Sequence, residues 1–277
     1  MKNTATDPAA SSNAPSAPAP QQPLLLERNG AIATLRFNRP EALNAIDVPM
    51  ANAFLTAVQT VASDPGVRAV VLCGNGRGFM AGGDLATLRA DPVQGAIDIL
   101  TPLNAALQLL AQMNAPVIAQ VHGAAAGAGL SLVLMADYVI AAEGTRFNLA
   151  YINLGTSCDV GASWALPRIV GVRQALEIAL LGEAFTADDA LRLGLVNRVV
   201  PPDTLEGATT ALAQHLAQGP TRAYGAMKRL MRQSLQHTLP EQLEAEKNAF
   251  VQCAATQDFE SGVEAFYQRQ SPVFAGR

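Results

Sequence analysis

Two runs of small residues, Phe79-Met80-Ala81-Gly82-Gly83-Asp84 and Gly123-Ala124-Ala125-Ala126-Gly127-Ala128-Gly129, each follow an apolar, strand-like stretch and lead into a helix-like one. Small residues let a backbone run close against a ligand. Amides at a helix start point outward with the positive end of the dipole behind them. Two such corners can aim two N–H groups at one oxygen. A third segment, Leu154-Gly155-Thr156-Ser157-Cys158-Asp159-Val160-Gly161, adds a carboxylate in a mostly apolar loop. Desolvation there raises a carboxyl pKa toward that of a working base. Two amide donors and one base are the parts needed to make and hold an enolate.

The elements that must position these parts are legible from periodicity. Ile32-Ala33-Thr34-Leu35-Arg36-Phe37 alternates like a strand and ends at Asn38-Arg39-Pro40, a turn signal. Asp47 is placed as a helix N-cap, and Met50, Phe54, Val58 and Val61 recur at helical spacing, which predicts a helix from Pro49 to about Ala62. Val67 to Cys73 reads as a strand, Ile97 to Met113 as a helix, and Val117 to Val121 and Tyr138 to Ala142 as further strands. This rhythm implies right-handed β-α-β units. After about residue 160 the pattern turns helical: Thr186-Ala187-Asp188-Asp189 resembles a capping box and Gly194 a C-terminal stop. Only Val196 to Val200 interrupts as a strand, and new helices start at Pro220 and at Thr238-Leu239-Pro240-Glu241. No internal repeat of fixed period is present.

The chain has 277 residues with 49% hydrophobic content, enough for a large core and one or two domains. Its 19 basic and 23 acidic residues give a net charge of −4 without a lysine or arginine cluster, which argues against a nucleic-acid partner. Cys73, Cys158 and Cys253 are few, odd in number and without CxxC spacing, so neither a disulfide framework nor a metal knuckle is suggested and a reducing cytoplasm fits. Leu130 to Ala142 is cut by Ser131, Asp137 and Tyr138, short of the roughly 18 to 20 apolar residues of a membrane span, so a soluble protein without a membrane partner is expected. Residues 1–22 are Ala-, Pro- and Ser-rich and read as a disordered tail. Pro8, Pro15, Pro18 and Pro20 break any run that could serve as an export signal.

Several stretches together resemble the enoyl-CoA hydratase/isomerase, or crotonase, superfamily. They are Asn38-Arg39-Pro40-Glu41-Ala42-Leu43-Asn44-Ala45, Gly78-Phe79-Met80-Ala81-Gly82-Gly83-Asp84-Leu85, His122-Gly123 through Asp137, and Ser261-Gly262-Val263-Glu264-Ala265-Phe266. The resemblance runs from about residue 24 to the C-terminus, and the order and spacing of several motifs make it specific. It implies an α/β fold, a spiral of β-β-α units over 23–200. A helical region, 201–277, would pack a homotrimer or a pair of trimers. It implies an acyl-CoA thioester as substrate with no further cofactor and no metal, and an oxyanion hole made by the amides of Gly83 and Ala128. CoA would lie against Ala42, Ala81, Gly83, Asp84 and Leu85, with Arg39 or Arg77 as candidate pyrophosphate contacts.

The departures from the family pattern matter as much. Two positions where hydratases of the family are similar in carrying glutamates hold Ser131 and Tyr151, neither a good general base. These two residues are expected to line the acyl pocket. Asp159 instead stands where 1,2-epoxyphenylacetyl-CoA isomerases of phenylacetate breakdown resemble one another in an aspartate, and where Δ3,Δ2-enoyl-CoA isomerases look to have a glutamate. The resemblance thus implies an isomerase with Asp159 as its single base. A hydratase using Asp159 and a positioned water is the alternative, and a non-catalytic acyl-CoA binder a more distant one. A dehalogenase with Asp159 as nucleophile would need a histidine upstream of the second corner, and none precedes His122.

Simpler roles compete at several positions. Asp159 could cap the helix running through Trp164 and Leu166, and Asp84 is expected to cap the helix after Gly83. Gly76, Gly78, Gly127 and Gly129 could be turn and packing glycines. A dinucleotide fold is excluded because no GxGxxG opens a helix with an acid about 20 residues on. Cys158 is expected to be a small buried hydrophobe, His122 to make a backbone hydrogen bond, and His215 and His237 to lie on the surface.

Overall fold

The computed structural model describes residues 22–277, and the tail expected over 1–22 lies, apart from Gln22, outside the described residues. Strands β1 (Leu24–Asn29) and β2 (Ile32–Phe37) form an antiparallel hairpin whose turn uses left-handed Gly30. β2 alternates as its sequence does, with Ala33, Leu35 and Phe37 buried. Helix α1 (Val48–Ser63) starts where the Asp47 carboxylate accepts from the Met50 amide at 2.9 Å, and it buries Met50, Phe54, Val58 and Val61 on one face. β3 (Ala69–Gly74) is buried along its whole length. After α2 (Leu85–Ala90), α3 (Pro92–Gln112) begins at Pro92 rather than the expected Ile97, because Asp91 caps it through the Gln94 amide and proline suits a first helical position.

The chain continues through β4 (Val117–Val121), β5 (Ala124–Ala126), α4 (Ala128–Met135), β6 (Tyr138–Ala142), β7 (Arg146–Asn148) and α5 (Ala162–Leu181), which breaks at Gly171. β8 (Phe185–Thr186) leads into α6 (Ala187–Arg192) through the expected Thr186–Asp189 capping box, and the chain leaves that helix past left-handed Gly194. β9 (Arg198–Val200) covers only the end of the expected Val196–Val200 strand. Helices α7 (Leu205–Ala217), α8 (Thr221–Gln233), α9 (Leu239–Ala254) and α10 (Gln257–Gln268) complete the chain, α8 and α9 starting at the expected Pro220 and Thr238 signals.

One six-stranded sheet runs β1-β2-β3-β4-β6-β9 and is parallel from β2 onward; a three-stranded sheet runs β5-β7-β8. The chain steps from β4 to β5 and from β6 to β7, so successive turns of a spiral alternate between the two sheets. A parallel sheet must be covered on both faces. One face packs against α1 and α3, where Phe37 lies 5.6 Å from Phe54 and 5.7 Å from Phe79 between ring centres. On the other, Ala213 and Ala217 of α7 pack on Ala69, Val71 and Ile118. Helix α8 is pinned by ion pairs from Asp137 to Lys228 at 2.6 Å and to Arg232 at 2.7 Å, and Lys228 also donates to the carbonyls of Leu110 and Ala115.

Candidate active site

The first corner is built around Asn44, which is fully buried and left-handed at φ 58°. Its side-chain amide donates to the carbonyls of Asn75 (2.9 Å), Gly78 (2.9 Å) and Phe79 (3.1 Å), and its Oδ1 accepts from the Arg39 amide at 2.9 Å. Asparagine tolerates this backbone conformation better than most residues, so one side chain fixes the turn and three carbonyls of the incoming segment. Two further bonds, Ile46 N to the Gly82 carbonyl and Asp84 N to the Ile46 carbonyl, each 2.8 Å, straddle Gly83 and leave its amide facing away from the chain.

Asp84 caps α2 through the Ala86 amide, as expected, and pairs with Arg39 at 3.0 Å. Burial alone would raise its carboxyl, but Arg39 and the Ala86 and Thr87 amides hold it below the usual carboxylate range. Arg39 is further engaged by Asp47 at 3.2 Å and by the Ala45 carbonyl at 2.6 Å. Its guanidinium therefore holds the corner, while Arg77, the other candidate pyrophosphate contact, is exposed.

The second corner crosses the first. Met80 N donates to the Ala124 carbonyl (3.0 Å) and Ala126 N to the Met80 carbonyl (2.9 Å), while the His122 ring Nε2 sits 2.9 Å from the Gly76 carbonyl, the backbone contact expected of it. The approach requires glycine: a Cβ on Gly129 would overlap the Met80 carbonyl oxygen, and Gly82 sits at φ 106° with the Ala126 carbonyl oxygen 3.3 Å from where its Cβ would stand. Ala128 is the first residue of α4, after Gly127 at φ 51°. Among the described residues neither the Gly83 nor the Ala128 amide has an acceptor.

The third segment brings Asp159 to these corners. Tyr151 opens a 3-10 turn, and its hydroxyl donates to Asp159 Oδ1. The same hydroxyl lies 2.9 Å from the Ser131 Oγ of α4, which in turn is 3.2 Å from the Gly127 carbonyl. A chain of side chains thus runs from Asp159 to the residue preceding Ala128. Burial pushes the half-buried Asp159 carboxyl above the usual carboxylate range, with the Tyr151 hydrogen bond working against it. Burial and the neighbouring carboxylate both push the Tyr151 phenol far up.

The alternative role for Asp159 as a helix cap does not hold. The N-cap of α5 is Gly161, with no side chain bonded to it, and Asp159 meets the helix only through its carbonyl, which accepts from Ala162 N. Its neighbour Val160 is buried and left-handed at φ 53°, an uncommon strain for a β-branched residue, and strain of this kind concentrates at functional segments.

Of the expected CoA-facing residues, Ala81 and Leu85 are exposed on the rim, while Ala42, Gly83 and Asp84 are partly buried beside it. Cys158 is half-buried against the core, and His215 is exposed. His237 departs from expectation: it is half-buried, with its ring Nδ1 3.0 Å from Gln242 Oε1, because α9 turns back over it. Among the described residues no cluster of three or more His, Cys, Asp or Glu could hold a metal ion. Grooves of about 460 Å³ among the C-terminal helices and about 580 Å³ beside Trp164 include neither Asp159 nor the two free amides. The candidate site is thus marked by its polar groups and not by groove size.

Two residues of these segments carry no evident role in the sequence pattern, Asn44 within its motif and Val160 after Asp159. The signal available for Asn44 was its residue type, which suits a left-handed turn.

Comparison with known proteins bears on the geometry. The Enoyl-CoA hydratase/isomerase family matches residues 27–277. The chain is 37% identical over 250 residues to the 1,2-epoxyphenylacetyl-CoA isomerase of Escherichia coli (strain K12), covering 89% of this chain and 95% of that one. It is also 37% identical over 256 residues to the 2,3-dehydroadipyl-CoA hydratase of the same organism, covering 92% and 99%. A solved enoyl-CoA hydratase of Mycobacterium smegmatis superposes with a TM-score of 0.86 at 34% identity, covering 92% of this chain and 99% of that one. No helix of the described residues is long and apolar enough to cross a membrane. An isomerase and a hydratase at equal identity do not choose between two reactions, but together with the matched span they are decisive at the coarser level: this chain belongs to the enoyl-CoA hydratase/isomerase family, the crotonase superfamily of enzymes.

Proposed function

We propose that the protein is an acyl-CoA isomerase that shifts a double bond along the acyl chain, with Asp159 as base and acid and the amides of Gly83 and Ala128 as oxyanion hole. One observation carries this reading. Asp159 is a half-buried carboxylate of raised pKa, tied through Tyr151 and Ser131 to the second corner, and those two residues stand where hydratases of the family resemble one another in glutamates.

The α-proton of a thioester is too weakly acidic for a carboxylate unaided. As Asp159 removes it, the electron pair moves through the carbonyl carbon onto the thioester oxygen, and charge develops where the two amides point. Each well-aimed donor is worth about 3 to 4 kcal/mol there. The enolate extends over the existing double bond, so the same carboxyl can return the proton two carbons along on the same face. No water need be activated, and one titratable group suffices.

CoA would lie along the rim formed by Ala42, Ala81, Gly83, Asp84 and Leu85, and Ser131 and Tyr151 would border the acyl chain. The exposed apolar side chains of the C-terminal helices, Met231, Phe250, Phe266 and Tyr267 among them, support a homotrimer or a dimer of trimers. A cytoplasmic location and the absence of any cofactor or metal belong to the same reading.

A second reading, hydration of a 2-enoyl-CoA, is favoured by the identity to the 2,3-dehydroadipyl-CoA hydratase. The deciding experiment supplies the purified protein with 3-hexenoyl-CoA and, separately, 2-hexenoyl-CoA. Conjugation of the first without hydration of the second, lost in Asp159→Asn while acyl-CoA still binds, is the expected result. Hydration of the second would replace this reading with the other, and isomerisation retained by Asp159→Asn would end the assignment of the base.

A further inference from the structure

With Asp159 ionised, the distances among the three hydrogen-bonded side chains favour one arrangement of their protons. A carboxylate has no hydrogen to give, so the Tyr151 hydroxyl must donate to Asp159 Oδ1, and its one proton is then spent. The 2.9 Å approach of Ser131 Oγ to the Tyr151 oxygen can then be a hydrogen bond only if Ser131 donates. That contact is shorter than the 3.2 Å to the Gly127 carbonyl, so the Ser131 proton goes to the phenol oxygen. The chain therefore points one way, from Ser131 to Tyr151 to Asp159, and chains of this kind strengthen each member. Among the described residues Oδ2 receives no hydrogen bond.

We propose that Tyr151 is a positioning residue whose hydroxyl, held by Ser131, clamps Oδ1 of Asp159 so that Oδ2 alone carries the proton between the two carbons. The proposal rests on Asp159 being the base. In the forward step the C–H bond at the α-carbon breaks, an O–H bond forms on Oδ2, and the electron pair passes to the thioester oxygen. In the return step the O–H bond breaks, a C–H bond forms at the γ-carbon, and the thioester carbonyl is restored, with no net oxidation or reduction. A carboxyl free to turn about its χ2 angle could present either oxygen and could pass its proton to water before returning it. The clamp removes that freedom and keeps the proton on the oxygen that faces the substrate.

The electrical surroundings make the clamp measurable. Tyr151 is the titratable group bonded to Asp159, and burial and this bond are the recognised influences on the carboxyl. Helix α4, packed against the pair, carries no titratable side chain. On α5, Arg168 is turned away onto the Trp164 ring at 4.2 Å. Cys158 adjoins Asp159 in the chain.

The test replaces Tyr151 by phenylalanine, which keeps the ring and deletes the donor. Carbon-13 NMR follows the Asp159 carboxyl through a pH titration, the resonance being assigned by its loss in Asp159→Asn. In Tyr151→Phe burial acts unopposed, so Asp159 is expected to titrate at higher pH than in the wild type, whether or not a given thioester is turned over. With α-deuterated 3-hexenoyl-CoA, kcat is expected to fall about tenfold, the worth of one hydrogen bond to a charged group. KM should change little, and the share of deuterium recovered at the γ-carbon should drop. Ser131→Ala should shift the same quantities less, and adding it to Tyr151→Phe should add nothing. An Asp159 titration unmoved by Tyr151→Phe, or deuterium carried to the γ-carbon as faithfully as by the wild type, overturns the clamp. Turnover retained by Asp159→Asn instead overturns the base assignment, so the two failures are distinguishable.

Discussion

At the scale of single residues, the site places an ionisable group where folding alone would not. Burial raises the Asp159 carboxyl, so folding opposes the ionised form that the proposed base requires. The sign of the stability effect follows. A carboxyl whose folded pKa is raised contributes its full stability when protonated, below the unfolded value of about 3.9, and loses it as pH rises through the folded pKa. At neutral pH the ionised group is thus a cost, and Asp159→Asn, which removes the charge and keeps an oxygen for Tyr151, is expected to melt higher than the wild type. A gain of about 1 kcal/mol corresponds to about 2 to 4 °C in Tm for a chain of this size. Thermal scans across pH check it, because the gap should close as pH falls through the Asp159 titration. An Asp159→Asn variant less stable than the wild type at pH 7 would mean that the carboxylate is structurally satisfied. On the same logic, turnover should fail on the acid side at a pH above the ordinary carboxylate range.

At the scale of elements, the corners are held by groups whose partners lie far off in sequence. Asn44 feeds three carbonyls of the segment 75–79, and its loss would leave buried acceptors unpaired at about 1 to 3 kcal/mol each. Asn44→Ala also places alanine at φ 58°, so it is expected to unfold at least about 3 kcal/mol more easily in urea and to lose activity more steeply than acyl-CoA binding. A variant of wild-type stability would show that water replaces the amide. This contrast explains what could be read beforehand. Signals contained in a few neighbouring residues were legible: the Asp47 cap, the Thr186–Asp189 box, the start at Thr238, the alternation of β2 and the face of α1. β5 and β7 were not, because three-residue strands show no useful period and exist only through pairing across the chain, as Ala125 does with Phe147. The two glycine-rich corners were visible as composition, and their crossing at Met80 and Ala125 was not. Asp159 was legible by resemblance, while its attachment to Tyr151 and Ser131 required the fold to bring 131, 151 and 159 together.

At the scale of the whole molecule, the question is what fixes the C-terminal helices to the spiral. α9 contributes no buried residue, and its Phe250 and Val251, with Phe266 and Tyr267 of α10, face outward. α9 therefore gains little from the core of its own chain and its placement depends on α8, while α10 is also tied back through Asp258, which accepts from the Ala275 and Gly276 amides, and Arg68, which donates to the Phe274 carbonyl. Asp137, at the end of α4 and just before β6, holds α8 through two cations, and Lys228 of that pair is nearly fully enclosed. Burial lowers the Lys228 pKa while Asp137 opposes it, the pattern of an ammonium that is tolerated only because its partner is present. Asp137→Asn should thus leave Lys228 and Arg232 without an anion and cost about 3 kcal/mol or more. Replacing both members of the enclosed pair, as in Asp137→Leu with Lys228→Met, should cost less, since the one cation left without its anion, Arg232, is more exposed than Lys228. Urea unfolding of the two variants checks the order. Light scattering checks the consequence: if the outward faces of α9 and α10 join copies of the chain, Asp137→Asn should shift the population toward monomer and the double variant should not. Equal destabilisation by both would show that the ion pair itself, and not the avoidance of a stranded charge, holds α8 in place.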